Sequence, residues 1–470
     1  KYEDHIAAKS RFSRVDGFLI KDNKYLVDYY GELDDITVPT GIDTIGKGAF
    51  MYDFQIKKIK LPSSVELIDK YGFGFAQKLI YIELPEGLLE IGAFAFTGAS
   101  ELNSLTIPTT LTTLSERSLY TMAGSVFIFK TATPLTITDT TFDYDAIILV
   151  PDEYLETYRT ATVWSDHAQY IYPISLSDGT AYLVGTDGTL IKYFGNESEI
   201  VMPATITAIG QEAFANNKTI TKITIHKEVV SIGEGAFSDC RNLNTVTIAE
   251  DSKMTSIGNQ AFQYTGSLLS FVIPLGVTQI QQRVFYDSGL KEIFIHENIT
   301  SIGDFAFENI DNLESVTFAE NINLETIGSN AFAESYKLSS ITIPASVKEM
   351  PSSFDNSGLI EVTFAEGTTI ETINAFSNCK KLTSITLPNS VTTLNYQAFA
   401  NCEALTTISI GSNIDSITNY TFYGCTSLTE IYIDLENLDD VSFDANWNFI
   451  GYDSEGIEIY ATYRLKGQVT

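Results

Sequence analysis

The sequence predicts a repeat solenoid, a row of short units stacked side by side around one continuous core. Three observations carry that reading. The first is spacing: 15 of the 29 phenylalanines hold a single repeat position. Phe50, Phe73 and Phe96 stand 23 residues apart, with Leu119 and Phe142 continuing the series, and Phe214, Phe237, Phe262, Phe285, Phe307, Phe332, Phe354, Phe376, Phe399, Phe422 and Phe443 resume it at intervals of 21 to 25. The second is the approach to each ring, as in Ile45-Gly46-Lys47-Gly48-Ala49-Phe50. The third is an alternating apolar run ahead of that approach. Sixteen units this short cannot bury an apolar face alone, so each must complete its neighbour's core.

The unit Leu79-Ile80-Tyr81-Ile82-Glu83-Leu84-Pro85 to Phe96 shows the elements in order. Leu79, Ile82 and Leu84 alternate as a short strand with Glu83 facing away, and Pro85 stops the ladder because it has no N–H to donate. Gly92 reads as a tight bend. Ala95-Phe96 then sends a ring into the core from the convex side, on a single helical or 3-10 turn. Leu382 to Phe399 repeats this grammar almost residue for residue. One strand per unit gives a long parallel sheet with right-handed crossovers.

The chain starts twice. Leu26-Val27-Asp28-Tyr29-Tyr30-Gly31 matches Leu190-Ile191-Lys192-Tyr193-Phe194-Gly195, and both glycines lie 19 residues before the first Phe of their arrays. Asp22-Asn23 and Asp187-Gly188 supply turn residues for a capping hairpin at each start. The expected organisation is two solenoids, residues 1–175 and 176–470, with five and eleven units.

The run Leu-x-x-Ile-x-Ile-Pro followed by Ile-Gly-x-x-Ala-Phe-x-x-Cys is similar to the BspA-like leucine-rich repeat family, a class of bacterial surface proteins, and the likeness covers nearly the whole chain. Ile232-Gly233-Glu234-Gly235-Ala236-Phe237-Ser238-Asp239-Cys240 is close to its consensus. The resemblance implies a leucine-rich-repeat right-handed superhelix with a parallel β-sheet and short helical or 3-10 turns on the convex side. It also implies that Ile147 to Pro151, with Tyr154, Tyr158, Trp164 and Tyr170 to Pro173, forms the aromatic strand-and-helix segment that closes the first array. An array end left uncovered would offer an unpaired edge and an apolar face to solvent. At Met350 to Phe354 and Ile373 to Phe376 the usual five-residue interval shrinks to four and three, so the turns there should be irregular.

Composition narrows the function. The 470 residues carry 60 acidic and 29 basic side chains, a net charge of −31. Phosphate binding needs a basic footprint, so nucleic acid and anionic lipid are poor partners. The carboxylates are scattered apart from short pairs such as Asp34-Asp35 and Asp439-Asp440, and read first as a solvated, mutually repelling surface. No apolar run approaches the ~18 residues of a membrane span, and Lys1 to His5 has no signal-peptide character, which leaves open both a cytosolic chain and a trimmed piece of an exported one.

Catalysis needs converging groups, and none is visible. Cys240, Cys379, Cys402 and Cys425 each fall three residues after a repeat Phe and share its inward phase, so buried free thiols are expected rather than disulfides or a metal site. His226 and His296 each follow a strand where Pro usually stands, but three units separate them, roughly 14 Å at strand spacing. His5 lies near the start and His167 in the closing segment. Glu292, Glu361 and Glu430 precede inward strand residues in units that are not adjacent, which argues against a glycosidase-like pair. No phosphate loop, nucleophile elbow or calcium-loop spacing is present, and no cofactor or metal is expected. Asn-x-Ser/Thr matches begin at Asn196, Asn217, Asn298 and Asn419, and matter only in a eukaryotic secretory route.

The outward strand position reads Lys60, Glu83, Thr106, Thr224, Thr247, Val272, Phe294, Thr317, Thr342, Thr363, Thr386, Ser409 and Tyr432. Thr suits an exposed strand and pairs well laterally. Phe294 and Tyr432 are the aromatic exceptions and the expected contacts for a protein or glycan ligand. The resemblance implies a non-enzymatic, exported interaction or adhesion protein, with a structural spacer as the alternative and an unrecognised hydrolase a distant third.

Overall fold

The computed structural model describes residues 12–121, 125–143, 146–177, 181–435, 441–452 and 455–466. His5 and Asp439-Asp440 lie outside the described residues. The fold is the expected parallel-strand leucine-rich-repeat solenoid. It forms two compact units: residues 1–187 with 191–196, and residues 188–190 with 197–470.

Most repeats contribute two strands rather than one. The first is the alternating run: Lys222–Ile225 pairs in parallel with Thr245–Ile248, Ile223 opposite Val246 and Thr224 opposite Thr247. Ile223 and Ile225 face the core while Lys222 and Thr224 face outward, as a two-residue period dictates. The second is a two-residue strand ending at the Ile of Ile-Gly, so that Ser231–Ile232 pairs with Ser256–Ile257. Two residues are too few for alternation to register in a sequence, and this ladder was not expected. The following glycine is needed for close approach rather than for a bend. A Cβ at Gly233 would stand 2.6 Å from the backbone N of Gln211 and C of Gly210, in the preceding repeat.

The third wall carries the phenylalanines, and it consists of successive β-turns, not helix. Ala213 N–H reaches Gly210 O, Ala215 N–H reaches Glu212 O, and Asn217 N–H reaches Phe214 O, at 3.1 to 3.4 Å. Among the described residues helices occur only between Asp152 and Ser177. A helix is blocked because residues two before and two after the ring take left-handed backbone: Glu212 has φ +52° and Asn216 φ +63°. The turns bond to one another as strands do. Phe214 N–H donates to Ala236 O at 2.8 Å and Phe237 N–H to Ala261 O at 2.8 Å. The rings therefore stack in register, with centroids 4.8 Å apart for Phe214 and Phe237, 5.1 Å for Phe237 and Phe262, and 5.1 Å for Phe307 and Phe332. The two shortened intervals are irregular as expected. Met350 takes an Ile place, and Asn374 lacks the left-handed backbone usual two residues before the ring. Their rings stay in line, since Phe354 N–H still meets Ala375 O and Phe376 N–H still meets Ala398 O, both at 3.1 Å.

Phe443 does not belong to the ring row. It pairs with Ile417 in the short second ladder. Tyr420 N–H reaches Asn446 O and Gly424 N–H reaches Ile450 O. In earlier repeats those donors bond the residues three before and one after the next ring, which sets Phe449 level with Phe422 in backbone register, but its ring packs on Tyr420, Tyr423, Tyr452 and Tyr460, with no ring contact to Phe422 among the described residues.

In the first unit, strands Phe12–Val15, Phe18–Lys21 and Tyr25–Tyr29 form an antiparallel entry sheet. Tyr25–Tyr29 then accepts Thr44–Ile45 in parallel. The far end is closed by strands Ile147–Val150 and Ile171–Pro173, helix Leu155–Thr160 and the 3-10 turn Trp164–Tyr170. Trp164 and Tyr158 are buried against Phe129, and Trp164 Nε1–H donates to Leu135 O at 2.8 Å. A second apolar cluster in this unit packs Leu183 and Phe194 against Val126, Ile147 and Leu149.

Candidate interaction surface

The strand face of the second unit is polar at most outward positions: Thr247, Thr317, Thr342, Thr363 and Thr386 are exposed. It turns apolar in one place. Val272 is 80% exposed, Leu275 62%, Phe294 55% and Leu269 45%, while Phe271 and Ile273 point inward and are buried. Phe271 explains the local change. A ring stands where the flanking repeats have Val246 and Ile293, packing 4.8 Å from Phe262 and 5.1 Å from Phe285. Over 270–274 the ladder is interrupted, ending at Thr245–Ile248 and resuming at Glu292–Ile295. A groove of about 660 Å³ lies along this patch, lined by Val272, Leu275, Phe294 and Glu250 among others.

Two further grooves follow on the same face. One of about 1000 Å³ is lined by Glu314, Glu320, Glu361 and Glu366 with Thr317 and Thr342. The next, about 600 Å³, shares Glu361 and Glu366 and adds Thr386 and Asn389. Their lining includes a recurrent substitution. Where Pro203, Pro274, Pro344 and Pro388 end their strands, other repeats carry Ala249-Glu250, Ala319-Glu320 and Ala365-Glu366. The alanine restores an N–H, and each extends the ladder by a bond: Ala249 to Ile225 O, Ala319 to Ile295 O and Ala365 to Ile343 O, at 2.9 to 3.1 Å. The glutamate that follows is set on the rim. None of the residues lining the three grooves is Lys or Arg. Neighbouring lysines are held elsewhere, Lys227 by Asp251, Lys253 by Glu228 and Lys348 by Glu325, at 2.6 to 2.9 Å. Lys291, exposed beside Leu269, makes no ion pair among the described residues, nor do Lys337, which donates to Asn312 Oδ1 at 2.8 Å, and Lys381, which donates to Tyr336 O at 3.5 Å.

Phe294 thus lies on the apolar patch. Tyr432 stands six strands further along, roughly 29 Å away at strand spacing. It is half-buried, with the Arg464 guanidinium 5.4 Å from its ring and its hydroxyl donating to Asp434 at 3.3 Å. The two residues are not brought together. Sequence reasoning did not single out the exposed Val272 and Leu275 or the rim glutamates. The signal for the last was the Ala-Glu pair in the place of Pro.

The groups considered for chemistry are dispersed. His226 Nε2 bonds Pro203 O at 3.0 Å while its Nδ1 accepts Glu228 N–H at 3.3 Å, which places the proton on Nε2. His296 repeats this with Pro274 O and Asn298 N–H. Both rings tie one repeat to the next. His167 is buried edge-on to Phe142 in the closing segment. Glu292 and Glu361 are exposed on separate strands, and Glu430 is paired with Arg464 at 3.3 Å. The four thiols are buried and none is in a disulfide. Each donates to the carbonyl of the ring residue one repeat back, Cys402 to Phe376 and Cys425 to Phe399, at 3.1 and 3.0 Å. Burial pushes the Cys379 thiol up to about 12 and Cys402 well above its ordinary value. Among the described residues no three His, Cys, Asp or Glu side chains are grouped to hold a metal ion, and no helix is long and apolar enough to cross a membrane.

Comparison with known proteins agrees with this architecture. The BspA type leucine rich repeat region matches in six copies over residues 23–148, 192–300, 250–356 and 350–449. The chain belongs to that family. Its structure is similar to a leucine-rich repeat protein from Bacteroides ovatus, at 20% identity over 92% of this chain and 96% of that one, TM-score 0.48. It is also similar to a leucine rich cell surface protein from Faecalibacterium prausnitzii, at 24% identity over 57% and 97%, TM-score 0.32. The pneumococcal vaccine antigen PcpA shares 17% identity over 61% and 82%, TM-score 0.36. No curated protein matches the sequence significantly.

Proposed function

We propose that this chain is a non-enzymatic binding protein, displayed at a cell surface or secreted, that takes a ligand on the strand face of its second unit and serves adhesion or ligand capture. The observation that carries the reading is the exposed Val272, Leu275 and Phe294 patch on an otherwise threonine-lined face. Neighbouring repeats show that the fold does not need apolar side chains there. A large exposed apolar cluster with a polar surround is the ordinary mark of an interaction site. Phe294 is the central contact, and Tyr432 with Arg464 forms a second, separate one. Membership of a family known for surface proteins supports display outside the cell. Labelling of intact cells with an antibody to the chain tests location. Binding of purified protein to arrays of extracellular polypeptides and glycans, wild type against Phe294→Asp, tests function. Capture that the substitution abolishes without changing the circular dichroism supports the proposal. Absence of any capture favours a spacer.

A further inference from the structure

We infer that the partner of this face is a cationic polypeptide segment with an apolar anchor, laid along the three grooves between residues 246 and 390. The inference rests on the strand face being the ligand surface and narrows it to a class of partner. The anchor site is Val272, Leu275 and Phe294. Beyond it, Glu314, Glu320, Glu361 and Glu366 line the next grooves, all exposed, with no Lys or Arg among the lining residues. A carboxylate in water costs nothing to leave unpaired, but Glu314 with Glu361 and Glu320 with Glu366 share a rim two strands apart, about 10 Å at strand spacing, and gain from a cation brought between them. The net charge of −31 adds long-range attraction for the same kind of partner and repels anionic ones.

The dimensions fit a short extended segment. From the Phe294 strand to the Thr386 strand is four strand spacings, about 19 Å, which an extended chain covers in about six residues. An apolar side chain seated beside Phe294 therefore places following Lys or Arg residues over the Glu314–Glu320 rim and then over Glu361–Glu366. A neutral glycan would satisfy the apolar patch but would leave the carboxylate rim without a role.

The test uses the full chain and three labelled ten-residue peptides read by fluorescence anisotropy. One carries alternating Lys with a Leu-Trp pair at one end, the second replaces Leu-Trp by Ser, and the third replaces Lys by Glu. The protein is compared with Phe294→Ser, with the groove triple Glu314→Gln, Glu361→Gln, Glu366→Gln, and with a control triple Glu66→Gln, Glu90→Gln, Glu116→Gln on the first unit, which changes net charge equally. The first peptide should bind the wild type. Phe294→Ser and the groove triple should each weaken it about tenfold or more, and the control triple less than about twofold. The Ser and Glu peptides should bind about tenfold more weakly or worse. Equal loss with the control triple, no loss with Phe294→Ser, equal binding of the Glu peptide, or no binding of the first peptide overturns the inference. If arrays still show a ligand that Phe294→Asp abolishes, such as a neutral glycan insensitive to the groove triple, only the cationic partner is wrong. If neither arrays nor peptides give binding, the binding function falls as well.

Discussion

Replacing Phe262 by Ala removes a fully buried ring that touches three others, Phe237 at 5.1 Å, Phe271 at 4.8 Å and Phe285 at 5.7 Å. Truncating a buried Phe costs about 3 to 5 kcal/mol, and the three ring contacts place this site towards the upper end. Each repeat is held by its two neighbours, so the loss falls on both interfaces and opens the array locally before it unfolds the chain. Hydrogen exchange reads this directly. The Phe237 and Phe262 amides, which donate to Ala261 O and Val284 O, should lose protection by about a hundredfold to several thousandfold, at about 1.4 kcal/mol per factor of ten. Phe73 and Phe96, in the other unit, should be unaffected. A loss of less than about tenfold at Phe237 and Phe262 would mean that the ring row does not hold the repeats together.

Gly233→Ala should destabilise the second unit by about 1 to 3 kcal/mol in urea unfolding, because the new Cβ meets backbone of the preceding repeat and nothing flexible can yield. Burial raises the Asp355 carboxyl to about 6 from 3.8, against hydrogen bonds from Ser352 and from the Ser377 amide. The folded state then holds its proton more tightly than the unfolded chain, and stability from this group is lost as pH rises through about 4 to 6. Asp355→Asn should accordingly raise thermal stability at pH 7, by about 1 to 2 kcal/mol after allowance for partial exposure, and make no difference near pH 4. A gain that persists at low pH would contradict the assignment. All four thiols should resist alkylation in the folded protein for hours and label at once in denaturant, as followed by mass; fast labelling of any one in native protein would contradict their burial. Fragments 1–175 and 176–470 are each expected to fold alone, the first melting lower than within the whole chain because Val126, Ile147 and Leu149 lose the cover of Leu183 and Phe194. An insoluble fragment would show that the second start is an insertion in one continuous array.

Much of the fold was legible because a repeat states its pattern many times. Alternation around Ile82 and Ile385 gave the main strands, spacing gave the ring row, and the family resemblance of the aromatic run from Tyr154 to Tyr170 implied the closing segment. The second ladder was hidden because Ser231–Ile232 is too short to show a period. The wall of single helical or 3-10 turns that the sequence suggests is built instead of β-turns, and Asn216, Asn309, Asn356, Asn378 and Asn401 mark the position two after the ring, where Asn tolerates left-handed backbone well. Phe443 fits the repeat spacing, and only backbone register shows that it pairs with Ile417 in the short ladder instead. At the surface, Phe294 stands out in the sequence because an outward aromatic breaks a threonine column. Val272 did not stand out, since Val belongs in any strand, and its exposure depends on the inward Phe271 beside it. Cover of Tyr432 by Arg464 was not readable, because it joins residues 32 positions apart across a lengthened final repeat.

The central claim is that the strand face of the second unit, between residues 246 and 390, is where this protein meets its partner. Hydrogen exchange on the intact chain, with and without the tightest-binding ligand from the arrays, measures it most directly. The account predicts new protection in peptides covering 269–275, 292–296, 314–320 and 361–366, with the Phe-bearing turns and the first unit unchanged. Protection confined to the turns, or to residues 12–177, would contradict it.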